Sequence, residues 1–148
     1  NALAGAMDDL SDHANGRWIL TPHAGEFRRL AGDVDLTDRV RVAQTYAERW
    51  NSVLLLKGTP SLVAAPDGRT FVGSTGNAGL ATAGSGDVLA GQIAALAAQG
   101  VPPLAAAACA LHLGGATTER IAATRDLRTI TATDLVDHFP EAVRERRE

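Results

Sequence analysis

Gly76-Asn77-Ala78-Gly79-Leu80-Ala81-Thr82-Ala83-Gly84-Ser85-Gly86-Asp87-Val88-Leu89-Ala90-Gly91 is a glycine-rich loop with one carboxylate, running straight into an alanine- and leucine-rich helical segment. Glycine permits backbone conformations closed to other residues and lets a bulky ligand approach the main chain. A helix that starts at such a loop points unpaired N–H groups, and the positive end of its dipole, at whatever sits there. That is an anion site, most often for phosphate. Asp87 is the odd residue, because a carboxylate repels phosphate unless it takes a proton from a hydroxyl that attacks it. The competing reading is that Asp87 simply N-caps the helix. The loop alone does not choose between them.

Outward from the loop, the downstream chain reads as helical. One helix is expected from about Ser85 to Gln99, stopped at Gly100. Pro102-Pro103 starts the next, which runs to about Ala123. A last helix begins near Thr131, with Thr133-Asp134 as its cap, and ends in the charged tail Arg144 to Glu148. The alanine-rich stretches 92–99 and 104–123 are expected to be core, packed closely on a sheet or on each other.

Upstream the pattern alternates. Thr70 to Val72 and Ser61 to Ala65 read as short strands joined by the turn Pro66-Asp67-Gly68-Arg69. Ser52-Val53-Leu54-Leu55-Leu56-Lys57 is a continuous apolar run, as expected of a buried parallel strand. Before it comes a helix opened at Asp35-Leu36-Thr37-Asp38, with Val40, Ala43, Ala47 and Trp50 on its apolar face. Arg17 to Thr21 is a strand stopped by Pro22, and His23 to Leu30 a short helix closed at Gly32. Asn1 to Ala14 reads as an amphipathic helix ended by Asn15-Gly16. Strands feeding helices, with one buried strand and one hairpin, describe an α/β layered domain. No repeat or linker divides it, so residues 1–148 read as one domain.

Composition excludes several classes. The chain has 148 residues, 45% of them hydrophobic, and a net charge of −3. That is enough for a real core, and it gives no electrostatic footprint for nucleic acid or a membrane surface. The longest apolar stretch, Leu104 to Leu113, is too short to cross a bilayer. The single cysteine, Cys109, lies in that stretch and reads as a small buried hydrophobe. A reducing cytoplasm is the expected compartment. A chain that opens on Asn1 inside a helical pattern reads as the middle of a longer protein.

Two further groups could carry chemistry. Leu20-Thr21-Pro22-His23-Ala24-Gly25-Glu26 leaves a strand and enters a helix, where His23 and Glu26 lie three residues apart on one face. A capping box accounts for the same residues. Lys57-Gly58-Thr59-Pro60-Ser61 follows the buried strand, with lysine as the phosphate-seeking cation and Gly58 allowing backbone contact with a nucleotide. An ordinary turn accounts for that segment too. His13, His112 and His138 have no partners at ligand spacing.

Taken in order, Thr-Pro-His-x-Gly-Glu, Lys-Gly-x-x-Ser and the Gly76–Gly91 motif resemble the ADP- or ATP-dependent NAD(P)H-hydrate dehydratases, a repair branch of the ribokinase-like superfamily. The resemblance runs from the first residues to Leu135, and the third motif is the most specific. Leu80 stands where that family usually has Met, and Ala83-Gly84-Ser85 where it usually has Gly-Gly-Thr. The resemblance implies a ribokinase-like fold of which this chain holds the carboxyl-terminal part. It also implies hydrated NADH or NADPH as substrate, ADP or ATP as phosphoryl donor, and Mg2+. By motif match, His23 and Asp87 contact the hydrate, with Asp87 as catalytic base. Lys57, Gly58, Thr59, Pro60 and Ser61, with Gly84, Ser85 and Gly86, take the nucleotide. Glu26 falls where related kinases have a glutamate that orders magnesium through water. A fused epimerase domain upstream and a homo-oligomer built on the apolar helices belong to the same expectation. The alternatives are a vitamin or sugar kinase of the same superfamily, and a non-catalytic nucleotide-binding fragment.

Overall fold

The computed structural model describes residues 3–145, which form two compact units. The first runs to Val72 and takes in Pro102–Ala107; the second comprises Gly73–Val101 and the chain from Ala108 on. The expected helix start at Asn1 and the tail beyond Glu145 lie outside the described residues.

In the first unit the elements are α1 (Met7–Ala14), β1 (Ile19–Leu20), α2 (Ala24–Ala31), α3 (Arg39–Arg49), β2 (Val53–Leu56), β3 (Leu62–Ala64) and β4 (Thr70–Val72). The four strands form one sheet in the order β1-β2-β3-β4. β2 is parallel to β1 but antiparallel to β3, so only one side of the expected parallel strand is parallel. Its four residues are all buried, which is why the run reads as unbroken apolar sequence. The β3–β4 hairpin turns where Gly68, at φ +87°, donates its N–H to the Ala65 carbonyl at 3.0 Å.

Helix α3 packs on β2 and β3. Phe27, Tyr46 and Trp50 form an aromatic triad, with ring centroids 5.0 Å (Phe27–Tyr46), 5.7 Å (Phe27–Trp50) and 4.9 Å (Tyr46–Trp50) apart. Met7, Ala43, Ala47, Leu54, Leu56, Leu62 and Ala64 complete the buried cluster. Each large apolar side chain buried here contributes roughly 1.5–3 kcal/mol. Asp38 caps α3 by accepting from the Arg41 N–H. Val40 departs from the expected face and is 41% exposed. The helix turns Arg39 inward in its place, so the inner row is 39, 43, 47 and 50.

The second unit holds a 3₁₀ turn at Ala78–Ala81, α4 (Ser85–Ala98), the larger part of α5 (Pro103–Ala122), a second 3₁₀ turn at Leu127–Thr129 and α6 (Ala132–Glu145). Its core is Ile121, Ile130 and Leu135, with Leu80, Val88 and Leu127 packed against them. α4 contacts α6, yet only Ile93 of α4 is buried. Ala94, Ala95, Ala97 and Ala98 are exposed, so the alanines of α4 are not the expected core, whereas Ala106, Ala107 and Ala110 of α5 are. Cys109 is exposed, not buried, because it faces away from the row of buried alanines on α5.

α6 is capped two residues earlier than expected, by Thr131. The Asp134 N–H donates to Thr131 Oγ1 at 3.3 Å, and Asp134 Oδ2 accepts from the Thr131 N–H at 2.8 Å, a reciprocal box. The Arg125 guanidinium also donates to the Asp134 carboxylate. Arg125, then the Thr131 hydroxyl and N–H, hold the Asp134 carboxyl well below its ordinary 3.8. A depressed folded value gives stability that is present above pH 3.8 and lost as pH falls below it. Asp134→Asn is therefore expected to lower the melting temperature by a few degrees at pH 7 and to flatten its fall on acidification below about pH 4. Thermal melts of both proteins across that range check this; parallel curves would remove the charged cap from the account.

Candidate functional site

The parallel register of β1 and β2 decides what meets what at their carboxyl ends. Ile19 pairs with Val53 and Leu20 with Leu54, and the same register carries on to a bridge between His23 and Lys57. The Val53 N–H donates to the Trp18 carbonyl and the Lys57 N–H to the Pro22 carbonyl, each at 2.9 Å. Two residues far apart in sequence are thus fixed side by side.

His23 is the N-cap of α2. Its Nδ1 accepts the N–H groups of Gly25 at 3.0 Å and Glu26 at 3.2 Å, and Glu26 Oε2 accepts the His23 N–H at 2.8 Å. The capping box is therefore present, built on an unusual cap. It does not exhaust these residues. With Nδ1 an acceptor twice over, the ring proton sits on Nε2, 3.6 Å from Glu26 Oε2, on a side chain that is 54% exposed. Lys57 Nζ approaches the same carboxylate oxygen at 3.5 Å. The His23 N–H, then Lys57, hold the Glu26 carboxyl below its ordinary value. His23, Glu26 and Lys57 thus form one cluster, which brings an N–H donor and a cation to one carboxylate. Glu26 Oε1 has no protein partner among the described residues.

The segment after Lys57 is a self-closed loop. Ser61 Oγ accepts the Gly58 N–H at 3.1 Å and donates to the Gly58 carbonyl at 2.9 Å. Gly58, Thr59 and Pro60 are exposed. Ser61 therefore shapes the loop with its hydroxyl, and the Gly58 amide is already used.

In the second unit, Gly84 is the N-cap of α4, in the left-handed region at φ +85°. Asp87 is the third residue of that helix, so it does not cap it. Its side chain is exposed and has no partner among the described residues. The Ser85 N–H donates to the Thr82 carbonyl at 3.3 Å and the Asp87 N–H to the Gly84 carbonyl at 3.0 Å. The N–H groups of Gly84 and Gly86 have no acceptor among the described residues. Of the three amides expected to meet an anion, two are available; the third, on Ser85, is taken, and the Ser85 hydroxyl is tied to the Leu80 carbonyl at 2.7 Å.

The start of the glycine loop depends on α5, a dependence the sequence pattern did not disclose. Glu119 Oε1 accepts the Gly76 N–H at 2.8 Å, and Thr75 Oγ1 donates to the His112 carbonyl at 3.0 Å. Gly115 lets the loop lie against the helix, since a Cβ there would stand 2.7 Å from the Thr75 carbonyl carbon and 2.8 Å from the Gly76 nitrogen. A Gly at helical spacing between Thr117 and His112 carries no signal of its own. A cavity of about 810 Å³ between α5 and α6 is lined by Ala116, Arg120, Ile121, His138 and Ala142 among others, and by none of the expected site residues. No group of three potential metal ligands occurs among the described residues. Nor is any helix there long and apolar enough to cross a membrane.

Residues 2–141 match the family model described as NAD(P)H-hydrate dehydratase. The bifunctional NAD(P)H-hydrate repair enzyme of Salinibacter ruber is 63% identical over 147 residues, which are 99% of this chain and 27% of that protein. Among solved structures, the ADP/ATP-dependent NAD(P)H-hydrate dehydratase of Bacillus subtilis, co-crystallised with ATP/Mg2+, is 35% identical with a TM-score of 0.82. The match covers 86% of this chain and 47% of that one. A ribokinase-like superfamily protein of Enterococcus faecalis is 26% identical with a TM-score of 0.70, over 93% of this chain and 50% of that one. The chain thus spans about a quarter of the curated relative and half of the solved ones. Its α/β architecture is that of the ribokinase-like fold, and it belongs to the NAD(P)H-hydrate dehydratase family.

Proposed function

We propose that the intact protein dehydrates hydrated NADH and NADPH with ADP or ATP as phosphoryl donor. The hydroxyl on the saturated nicotinamide ring is phosphorylated, the ring nitrogen lone pair expels phosphate to leave an iminium, and loss of a proton from the ring carbon next to it restores the dihydropyridine. The observation that carries the reading is in the first turn of α4: two unpaired N–H groups, on Gly84 and Gly86, beside an Asp87 carboxylate that caps nothing. Family membership supports it.

Phosphoryl transfer asks a protein mainly for positioning and charge neutralisation. Gly84 and Gly86 donate to the transferring phosphoryl group at the positive end of α4. Asp87 accepts the hydroxyl proton as the oxygen–phosphorus bond forms. Lys57 brings positive charge to the nucleotide, and Gly58, Thr59, Pro60 and Ser61 form the loop against which it lies, with Ser61 acting through loop shape. His23 offers the hydrate an N–H donor at Nε2, its tautomer fixed by the two amides on Nδ1. Magnesium, when bound, neutralises phosphate charge, and Glu26 suits it because such ions keep several waters and need only one or two carboxylates. A homo-oligomer, a fused epimerase domain and a cytoplasmic location belong to the same reading, and the bifunctional name of the Salinibacter relative supports the second activity.

Two variants of the intact protein test the assignment. Gly86→Val places a branched side chain beside the proposed phosphate position and is expected to abolish ADP and ATP binding by calorimetry; unchanged affinity would sink the anion site. Asp87→Asn keeps the side chain's shape but cannot take the proton. It is expected to leave melting temperature and nucleotide affinity unchanged and to slow regeneration of NADH absorbance about a hundredfold or more. Turnover within a few-fold of wild type would remove Asp87 as the base. Accumulation of a phosphorylated hydrate by the wild-type protein, with no NADH regenerated, would favour a kinase that stops after transfer.

A further inference from the structure

Arg39 occupies a place that helix energetics alone does not explain. It is the first residue of α3, where a cation meets the positive end of the helix dipole. Its side chain turns inward, and Nη2 donates to three carbonyls: Leu56 at 3.3 Å, Lys57 at 3.2 Å and Pro60 at 3.4 Å. The first two lie where β2 ends and the third lies after the turn, so one nitrogen joins both legs of the Lys57–Ser61 loop. The guanidinium also fills the space beside Gly58, where an added methyl group would collide with it. A side chain at position 58 would displace the guanidinium from that side of the loop. Nε of Arg39 is buried without a hydrogen-bond partner, and no carboxylate lies within 4.0 Å of the side chain among the described residues. Among the described residues the guanidinium is held by backbone carbonyls and makes no ion pair.

We infer that Arg39 is the positioning residue of the nucleotide loop. It locks the path from Leu56 to Pro60, and so fixes where Lys57 Nζ and the exposed Thr59-Pro60 segment meet a nucleoside di- or triphosphate. The inference rests on the proposed nucleotide role of that loop. It assigns Arg39 no contact with the hydrate and no proton transfer.

Arg39→Ala and Arg39→Lys in the intact protein test it, with ADP and ATP affinity read by calorimetry and turnover by NADH absorbance. Arg39→Ala is expected to weaken nucleotide binding about tenfold, the worth of a charge-assisted hydrogen-bond set. The KM for the hydrate, and kcat at saturating nucleotide, stay within about twofold of wild type by the same argument, since Arg39 touches neither the hydrate nor the transferred group. Arg39→Lys keeps the charge but not the planar fork. It is expected to recover only part of the affinity. Should Arg39→Ala not fold, Arg39→Lys decides: weaker nucleotide binding supports the clamp, and wild-type affinity overturns it. Full recovery by lysine beside a weakened Arg39→Ala assigns the effect to charge and overturns positioning. So does unchanged affinity in Arg39→Ala, or a hydrate KM that rises in step with the nucleotide Kd. Absence of nucleotide binding by the wild-type protein would defeat the loop assignment itself, and the inference with it, before any variant is compared.

Discussion

The parallel ladder between β1 and β2 is the constraint on which the first unit's chemistry depends. β1 is only two residues long, but backbone bonds from Val53 to Trp18 and from Lys57 to Pro22 extend the pairing on both sides. A slip of one residue in that register would turn the side chains of β1 to the opposite face and move His23 away from Lys57. The aromatic triad beneath resists such a slip, because Phe27 on α2 and Trp50 at the end of α3 must both stay seated against the core. The site geometry is therefore a consequence of core packing several residues away.

The second unit uses a different device. Among the described residues no strand pairs with its glycine loop, which instead lies against α5 through a backbone contact that only Gly115 permits. Glu119 takes the Gly76 amide and Asn77 the Gly79 amide, so the early part of the loop spends its polar groups on the protein. Gly84, in a left-handed conformation, then swings the chain into α4. Two donors unpaired among the described residues, on Gly84 and Gly86, lie at that last corner. The N–H groups of Gly84 and Gly86 at that corner leave hydrogen-bonding capacity at the positive end of α4, where an anion can be received.

Much of this was legible in the sequence, and the exceptions share a cause. Helix and strand positions followed from periodicity and from turn residues, and Asp38, Gly32 and Gly68 act as their residue types suggest. The three motif segments each carried a local signal as well. What failed was orientation. Val40 and Arg39 sit next to each other in the first turn of α3, and hydrophobicity favours turning valine inward. The carbonyls at the end of β2 reverse that choice, and nothing in the residues 35–50 announces them. The exposed alanines of α4 and the exposed Cys109 are misjudged for the same reason. An apolar residue type states a preference for burial, and only the neighbours it meets decide whether burial occurs.

A related lesson concerns residues that a simple reading assigns to one role. His23 and Glu26 form a capping box, and the same box makes the histidine useful: two amides on Nδ1 leave a single tautomer with its N–H at the outer nitrogen. A free surface histidine would populate both tautomers and pay orientational entropy on meeting a ligand. Gly58 likewise looks like a glycine kept small for a ligand, yet the space its missing Cβ leaves is filled by Arg39. In both cases the structural and the functional accounts of a residue are not rivals. The structural bonds are what restrict the side chain or loop to the one arrangement in which its remaining groups can act.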